Sequence, residues 1–355
     1  MLKYAGLHPH SKSKLLTLYH YVNCFFFVFL LVLAIMEVAA ARSDIFRAIE
    51  GLSSVLFMIY TSCRYALNYH HKPDLAHLLQ SQSRFWKIED FEGRVRADCE
   101  RMMEVTSRFI RYYKNYAVVL AAVFYVQPFI FHELQMKIYV PEGWFYYLYL
   151  VYWYMTPPLF SSVYGVTSMF CALAVPVTVQ FKLLANEFEN LKMRRRGSEE
   201  VGRLVDYHNF LIEYCEKINA HSSGVFLFEF FITVSVCCIL MFIASQDSYP
   251  LVNKIKYTGF IISQFIDTAI YCYNCELISE ASENVGKAIY NSPWYETDRS
   301  DIRRTVAFII SRTQKRVVFN GYQLVRVDMQ TFTRIFKATL SFVSYLNTVA
   351  LTEKK

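Results

Sequence analysis

The chain has 355 residues, and its 37 Lys and Arg residues against 30 Asp and Glu residues give a formal net charge of +7 at pH 7. Hydrophobic residues make up 54% of the chain, aromatic residues 17% and charged residues 19%. These fractions fit a polytopic membrane protein better than a soluble globular one.

The nine cysteines exclude a disulfide-stabilised secreted fold. Cys99, Cys215 and Cys275 lie in segments that we assign to the cytosolic side. The other cysteines lie in apolar runs: Cys24, Cys63, Cys171, Cys237, Cys238 and Cys272. Since none lies in a predicted outside loop, no structural disulfide is expected.

Seven apolar segments predict an all-α membrane protein with seven transmembrane helices, because about 20 helical residues cross a bilayer. The segments are 19–41, 45–69, 112–134, 160–181, 224–245, 257–277 and 332–351. The aromatic run 144–154 resembles an interfacial belt ahead of the fourth segment.

Two charged segments between these spans predict helical extensions. Residues 94–109 indicate an amphipathic helix that continues directly into the third span. A second apolar face recurs at helical spacing along Val201, Leu204, Val205, His208, Leu211, Ile212, Cys215 and Ile218. That face needs a partner, so we expect a helical bundle beneath the membrane.

The distribution of basic residues predicts the orientation. Of the 37 Lys and Arg residues, 26 lie in segments 1–18, 70–111, 182–221 and 279–326, and 7 lie in segments on the opposite side. Basic residues are enriched in cytosolic loops. We therefore expect a cytosolic N-terminus and an extracellular C-terminus, the reverse of a G-protein-coupled receptor.

No arrangement typical of an active site occurs. The histidines His70, His71 and His77 form a single cluster, which favours interfacial surface residues over a metal site. His132-Glu133 lacks the second histidine of a zinc-protease helix. A nucleotide-binding loop and a serine elbow are also missing, so we predict a non-enzyme without metal or cofactor.

Two acidic residues fall inside predicted spans, where a charge costs several kcal/mol unless it is paired or hydrated. Glu229 lies in the fifth span, and we expect it near the cytosolic end. Asp267 lies in the sixth span. For Asp267 a packing role and a ligand contact both remain open, and packing is the more common of the two.

Polar residues of the last helix form a stripe. They are spaced three or four apart, and at ~3.6 residues per turn they share one side. The stripe consists of Thr333, Lys337, Ser341, Ser344, Thr348 and Thr352. Such a stripe suits close helix packing, or it suits the wall of a water-filled pore.

The last quarter of the chain carries an ordered series of short motifs. They are Cys275-Glu276, Ser279-Glu280, Ser282-Glu283, Ala288-Ile289-Tyr290, Ser292-Pro293-Trp294-Tyr295, Arg303-Arg304, Gly321 and Ser344-Tyr345. In this order they resemble the C-terminal region of insect odorant receptors, a seven-helix family of ligand-gated cation channels. The family has the inverted orientation that the basic residues predict.

The resemblance implies four regions in one membrane unit. Residues 1–18 form a cytosolic tail, and 19–278 form six helices with cytosolic extensions and the ligand-binding part. Residues 279–325 form a cytosolic segment for subunit assembly, and 326–355 form the pore-lining helix and the extracellular C-terminus. The assembly segment is expected to bury an apolar face against neighbouring subunits: Val306, Phe308, Ile309, Ile310, Val317 and Val318.

The resemblance also implies a ligand pocket in the outer half of the membrane, formed by the second, third, fourth, fifth and sixth helices. The residues at that level are Ser53, Leu56, Phe57, Tyr60, Phe124, Tyr125, Pro128, Tyr164, Ser168, Ile239, Phe242, Phe260, Ile261 and Phe265. An aromatic cavity with one or two hydroxyls suits a volatile, mostly apolar ligand. Ordinary helix packing is the alternative for each residue taken singly.

By the same resemblance the gate lies near the outer end of the last helix. The pore-side residues are Ser341, Ser344, Tyr345, Thr348, Leu351 and Thr352. Thr348 stands where the family's co-receptor commonly has a hydrophobic residue. Dewetting gates need apolar rings, so Thr348 favours a ring completed by apolar residues of another subunit.

We therefore expect an odorant receptor subunit that forms a heterotetramer with the family's shared co-receptor. The assembly would be an odorant-gated, non-selective cation channel in the plasma membrane of olfactory neuron dendrites, contacting lipid, odorant and permeating monovalent and divalent cations but no nucleic acid. Segment 182–221 is too short for the co-receptor itself. The alternatives are a homomeric odorant channel and a gustatory receptor-type channel, although the chain lacks the Gln-Phe ending common in the latter.

Overall fold

The computed structural model describes residues 14–41, 44–190, 197–246, 249, 251–296 and 300–353, so most of the predicted tail 1–18 lies outside the described residues. Helices dominate the described part. In chain order they are α1 (Lys14–Ala40), α2 (Ile45–His70), α3 (Lys72–Ser81), α4 (Gly93–Phe131), α5 (Phe145–Phe160), α6 (Val166–Glu189), α7 (Gly197–Ser245), α8 (Leu251–Asn291), α9 (Ser300–Thr313) and α10 (Met329–Glu353). Two short strands, β1 (Asn320–Gly321) and β2 (Val325–Arg326), pair antiparallel before α10.

Within the described residues, four helical stretches are long and apolar enough to cross a membrane by length and composition. They are Lys14–Ala40, Ile45–His70, Phe145–Glu189 and Glu199–Ser245. These stretches contain the first, second, fourth and fifth predicted spans. The other three lie in α4, α8 and α10, which are long helices with more charge in or next to their apolar runs.

The aromatic run begins a helix instead of lying ahead of one. α5 starts at Phe145 and passes through Pro157-Pro158, then continues through a π-helical turn, Ser161–Gly165, into α6. The helix therefore begins before residue 160, and the start of the membrane span within it stays a prediction. Proline lacks an N–H donor and its ring crowds the preceding turn, but neighbouring helices and local π-helical adjustments can compensate in an apolar bundle.

The helical extensions have the predicted form. α4 runs unbroken for 39 residues from the charged segment into the third span. On α7 the predicted apolar face is buried, with Leu204, Leu211 and Cys215 fully enclosed. This face packs with α3, α6, α8 and α9 in one large core, which confirms that the extension has partners in its own chain.

Gly321, one of the motif residues, lies where the strand pair touches α7. A Cβ there would be 3.1 Å from the backbone nitrogen of Leu227 and 3.2 Å from its Cα. Hydrogen bonds hold the strands in place: the backbone N–H of Asn320 donates to Asn219 Oδ1 at 2.8 Å, and that of Tyr322 donates to Ser223 Oγ at 2.6 Å. This close approach of β1 to the Leu227 backbone explains why residue 321 is a glycine.

We predict that Gly321→Ala lowers the free energy of unfolding by about 1–3 kcal/mol, because a backbone neighbour cannot move aside as a side chain can. Thermal unfolding of the purified chain in detergent measures the change. Gly259→Ala is the matched control, since a Cβ at Gly259 has no atom within 4 Å and the position is helical. Equal melting temperatures for the two variants would contradict the close approach.

Candidate functional site

A fully buried arginine lies at the centre of the helix bundle. Arg64 of α2 has no exposed surface, and its Nη1 lies 2.7 Å from Glu229 Oε2 of α7. Its Nη2 donates to Tyr271 Oη at 2.7 Å, to Thr167 Oγ1 at 3.1 Å and to the Val163 carbonyl at 3.1 Å. One guanidinium thus joins α2, α7 and α8 to the π-helical turn and to α6.

Glu229 receives hydrogen bonds on both carboxylate oxygens. Tyr60 Oη donates to Oε2 at 2.5 Å, and Arg64 Nη1 donates to the same tyrosine oxygen. Gln264 Nε2 donates to Oε1 at 2.8 Å, and Thr268 Oγ1 donates to it at 3.1 Å. We call these residues the buried polar network: Tyr60, Arg64, Thr167, Glu229, Gln264, Thr268 and Tyr271.

The network shows what surrounds Glu229. The residue is enclosed and paired with Arg64, and its place near the cytosolic end of the fifth span stays a prediction. Two charges in an apolar bundle are tolerable when they are paired and most of their polar atoms are hydrogen-bonded. Within the described residues Arg64 Nε is left without a hydrogen-bond partner. The arrangement therefore depends on both partners.

We predict that Glu229→Gln lowers the free energy of unfolding by about 3–5 kcal/mol, because it leaves the Arg64 guanidinium buried without a counter-charge. Thermal unfolding in detergent and surface expression both report the loss. Glu213→Gln is the control on the same helix: its partner is Lys217, 2.8 Å away, and both side chains are about half exposed. An exposed pair contributes about 0–1 kcal/mol, so equal effects would refute the buried pair.

Sequence reasoning did not single out Arg64. The signal was present, since an arginine lies six residues before the end of a 26-residue helix apolar enough to cross a membrane. An intramembrane charge indicates a functional or structural partner by default. Applying that rule to basic residues as well as acidic ones identifies Arg64.

A second buried carboxylate lies one turn from the network on α8. Asp267 is 1% exposed, and Tyr113 Oη of α4 donates a hydrogen bond to its Oδ1. Within the described residues Oδ2 has no hydrogen-bond partner. Asp267 thus packs against α4 through Tyr113, and one of its acceptor atoms remains unused.

An aromatic and aliphatic cluster surrounds this polar layer, and we call it the central cluster. Its buried members are Tyr60, Tyr113, Ala117, Val163, Tyr164, Cys171, Ile232, Val236, Cys237, Leu240, Ile243, Tyr257, Ile261 and Ile270. More than half of the predicted ligand-level residues belong to it or pack against it: Leu56, Phe57, Tyr60, Tyr164, Ile239, Phe260, Ile261 and Phe265. The second, fourth, fifth and sixth predicted spans therefore meet as expected.

The other predicted ligand-level residues lie elsewhere. Phe124 packs on Phe160 in a neighbouring core with α1 and α5, and Tyr125 packs on Trp153. The remaining four are not members of the cluster: Ser53, Pro128, Ser168 and Phe242. The hydroxyls of Ser53 and Ser168 donate hydrogen bonds to backbone carbonyls of their own helices. α4 joins the cluster through Tyr113 and Ala117, with Ile110 and Leu120 packed against it, all one to four turns before Phe124. Because α4 is one unbroken helix, its depth could not be read from the sequence.

A cavity of about 330 Å³ opens between α3 and α7, away from the central cluster. Its lining is mainly polar: His77, Gln80, Ser81, Ser83, Arg84, Phe210, Glu213, Tyr214 and Lys217. An apolar ligand is held mainly by apolar and aromatic side chains. We therefore keep the central cluster, rather than this cavity, as the candidate site.

The last helix is covered by its own chain on one side only. Ile335 and Thr339 are buried where α10 packs on α7 and α8, whereas Ser341, Ser344 and Tyr345 are exposed. The hydroxyls of the stripe bond within the helix: Ser344 Oγ donates to the Leu340 carbonyl and Thr348 Oγ1 to that of Ser344. Leu351 and Thr352 lie in the final turns of α10. The stripe residues Thr333, Lys337, Ser341, Ser344 and Thr348 therefore face outward from the single chain, and the side chain of Thr352 lies outside the described part.

The predicted assembly face is divided. Val306 and Ile309 of α9 are buried in the chain's own core, and Ile310 and Val317 pack against it. Phe308 is 74% exposed and Val318 is 40% exposed. Only part of the face is thus available to another subunit.

All nine cysteines are free, which agrees with the prediction of no disulfide. Among the described residues no group of three or more His, Cys, Asp or Glu could hold a metal ion.

The profile of one protein family, 7tm Odorant receptor, matches residues 44–340. Odorant receptor 67c of Drosophila melanogaster is 20% identical over 210 residues, which cover 56% of this chain and 51% of the relative. Odorant receptor Or2 of Anopheles gambiae is 23% identical over 150 residues, 42% of this chain and 39% of the relative. The chain spans about half the length, or less, of the curated relatives it matches.

The fold has a solved counterpart. The insect olfactory receptor OR5 from Machilis hrabei in complex with eugenol matches with a TM-score of 0.80 and 16% sequence identity, over 96% of this chain and 93% of that one. A second structure of the same receptor matches with a TM-score of 0.80 and 15% sequence identity. This likeness confirms an all-α membrane fold, and the orientation of the termini stays a prediction.

Proposed function

Because the chain belongs to the 7tm Odorant receptor family, we propose that it is an odorant-binding subunit of a heteromeric, odorant-gated cation channel. The proposal of a channel rests on the exposure of α10: its described stripe residues are not covered by the rest of the chain. A hydroxyl-bearing face needs either water or a polar partner. Four copies around one axis would supply both.

The ligand would bind in the central cluster. Phe57 packs edge-to-face on Phe260 with ring centroids 5.1 Å apart, and Tyr164 hydrogen-bonds Ser263 at 2.9 Å. Together these give an apolar aromatic surface with few hydroxyls, which suits a small volatile molecule. The Machilis hrabei receptor was solved with eugenol, which makes eugenol a reasonable first test compound here.

The pore would be shared with a co-receptor subunit. Thr348 is a polar residue at the proposed constriction, and its hydroxyl bonds its own helix. A dewetting gate needs apolar side chains, which a different subunit would contribute. The exposed Phe308 gives the cytosolic side an apolar contact for that neighbour. The assembly would function in the plasma membrane of olfactory neuron dendrites and conduct monovalent and divalent cations.

Whole-cell recording tests the proposal. We expect current in response to eugenol and a panel of volatile esters, alcohols and aldehydes when this chain is expressed with an insect odorant co-receptor, and none with either subunit alone. Current from this chain alone would replace the heteromer with a homomeric channel. Absence of current with both subunits at the cell surface would contradict the channel.

Cysteine substitution tests the pore assignment. In Thr348→Cys we expect a cationic methanethiosulfonate applied from outside to reduce the current irreversibly, because the modified side chain would narrow the pore and repel cations. Phe342→Cys is the control, since Phe342 is 50% exposed on the same helix but lies off the stripe. Equal sensitivity of the two variants, or insensitivity of Thr348→Cys, would contradict the assignment.

A further inference from the structure

Asp267 differs from the buried carboxylates Glu229 and Glu37 in how its oxygens are used. Glu229 has donors on both oxygens, and Glu37 accepts from Arg47 on both. Asp267 accepts one hydrogen bond, from Tyr113, and within the described residues its Oδ2 has no partner. A buried acceptor without a hydrogen bond is unfavourable, and more so when it is charged. Such a group is a candidate for binding something.

The polar layer contains two buried carboxylates, Glu229 and Asp267, and one guanidinium, Arg64. Arg64 is the one guanidinium of the buried polar network, and Glu229 forms the direct ion pair with it. The terminal nitrogens of Arg64 are otherwise committed to Tyr60, Tyr271, Thr167 and the Val163 carbonyl. No arginine hydrogen bond reaches Asp267 within the described residues. The second carboxylate is therefore left without a contacting cation.

Asp267 lies beside the proposed ligand site. Its partner Tyr113 packs edge-to-face on Tyr164 with ring centroids 5.2 Å apart. Tyr164 in turn hydrogen-bonds Ser263, which lies four residues before Asp267 and so on the same face of α8. The unused oxygen and the aromatic surface of the central cluster thus share one neighbourhood.

We propose that Asp267 is a specificity-determining residue that selects odorants with a hydrogen-bond-donating head, a hydroxyl or an amine, on an apolar body. In its ionised form the carboxylate is an acceptor only, so it takes an O–H or N–H donor but gives nothing to an ether or ester oxygen. The aromatic surface holds the apolar body, and the head satisfies Oδ2. The inference rests on the proposed function in placing the odorant in the central cluster.

Matched ligands test the head-group preference directly. The thermal stability of the purified full-length chain is measured in detergent against benzyl alcohol, benzylamine, benzyl methyl ether and toluene, which share one aromatic body. We expect the alcohol and the amine to bind about ten- to a hundredfold more tightly than the ether, as a hydrogen bond to a charged acceptor provides. Equal stabilisation by the alcohol and the ether would overturn the inference.

Two variants test whether Asp267 is the source of the head-group preference. Asp267→Asn keeps the shape and a carbonyl acceptor but removes the charge, so we expect the amine to lose more of its advantage over the ether than the alcohol does. Glu276→Gln makes the same chemical change farther along α8 and should leave the ligand order intact. An unchanged ratio of the amine affinity to the ether affinity in Asp267→Asn would overturn the inference.

Tyr113→Phe covers the case in which Asp267→Asn folds poorly. This variant keeps the carboxylate and frees its Oδ1, so the preference for donor ligands should persist or increase. Loss of that preference in Tyr113→Phe would overturn the inference.

Recording currents with the co-receptor separates the two proposals. A donor preference in binding without any current would overturn the channel and support the role of Asp267. Currents that do not distinguish the alcohol from the ether would overturn the role of Asp267 and leave the channel standing.

Discussion

A single ion pair between Arg64 and Glu229 determines how the inner part of the bundle can pack. The guanidinium has no exposed surface, and its hydrogen bonds reach α6, α7, α8 and the π-helical turn from α2. Hydrophobic helices alone can rotate and slide against each other at little cost, whereas hydrogen-bonded charges in an apolar interior accept one arrangement. The central cluster takes its geometry from this constraint, because Tyr60 belongs to both.

A continuous set of contacts connects that layer with the last helix. Gln264 and Thr268 of α8 bond Glu229, and the neighbouring Phe265 packs on Phe332 and Phe336 of α10 with ring centroids 6.5 and 5.2 Å away. A ligand in the central cluster would therefore contact helices that also hold α10. Contacts of this kind provide a physical route between a ligand site and a pore. Coupling between the two sites also requires a conformational equilibrium that each of them shifts, and that equilibrium must be measured.

Much of the fold could be predicted from local patterns. Apolar runs and amphipathic faces identified most of the helices and the buried face of α7. An ordered set of motifs identified the family, which the family match confirms. Tertiary context determined the rest. Pro157-Pro158 suggested a break that the bundle does not require, and the depth of α4 depends on packing rather than composition. Arg64 was overlooked because its partner is 165 residues away in sequence.

A double-mutant cycle on Arg64 and Glu229 tests the central constraint most directly. The free energy of unfolding is measured for Arg64→Met, Glu229→Leu and the double variant, all purified in detergent. We predict that the double variant is more stable than the sum of the single losses implies by more than about 2 kcal/mol, because each single variant leaves one buried charge unpaired. Additive losses, within about 0.5 kcal/mol, would show that the two residues do not depend on each other and would contradict the account.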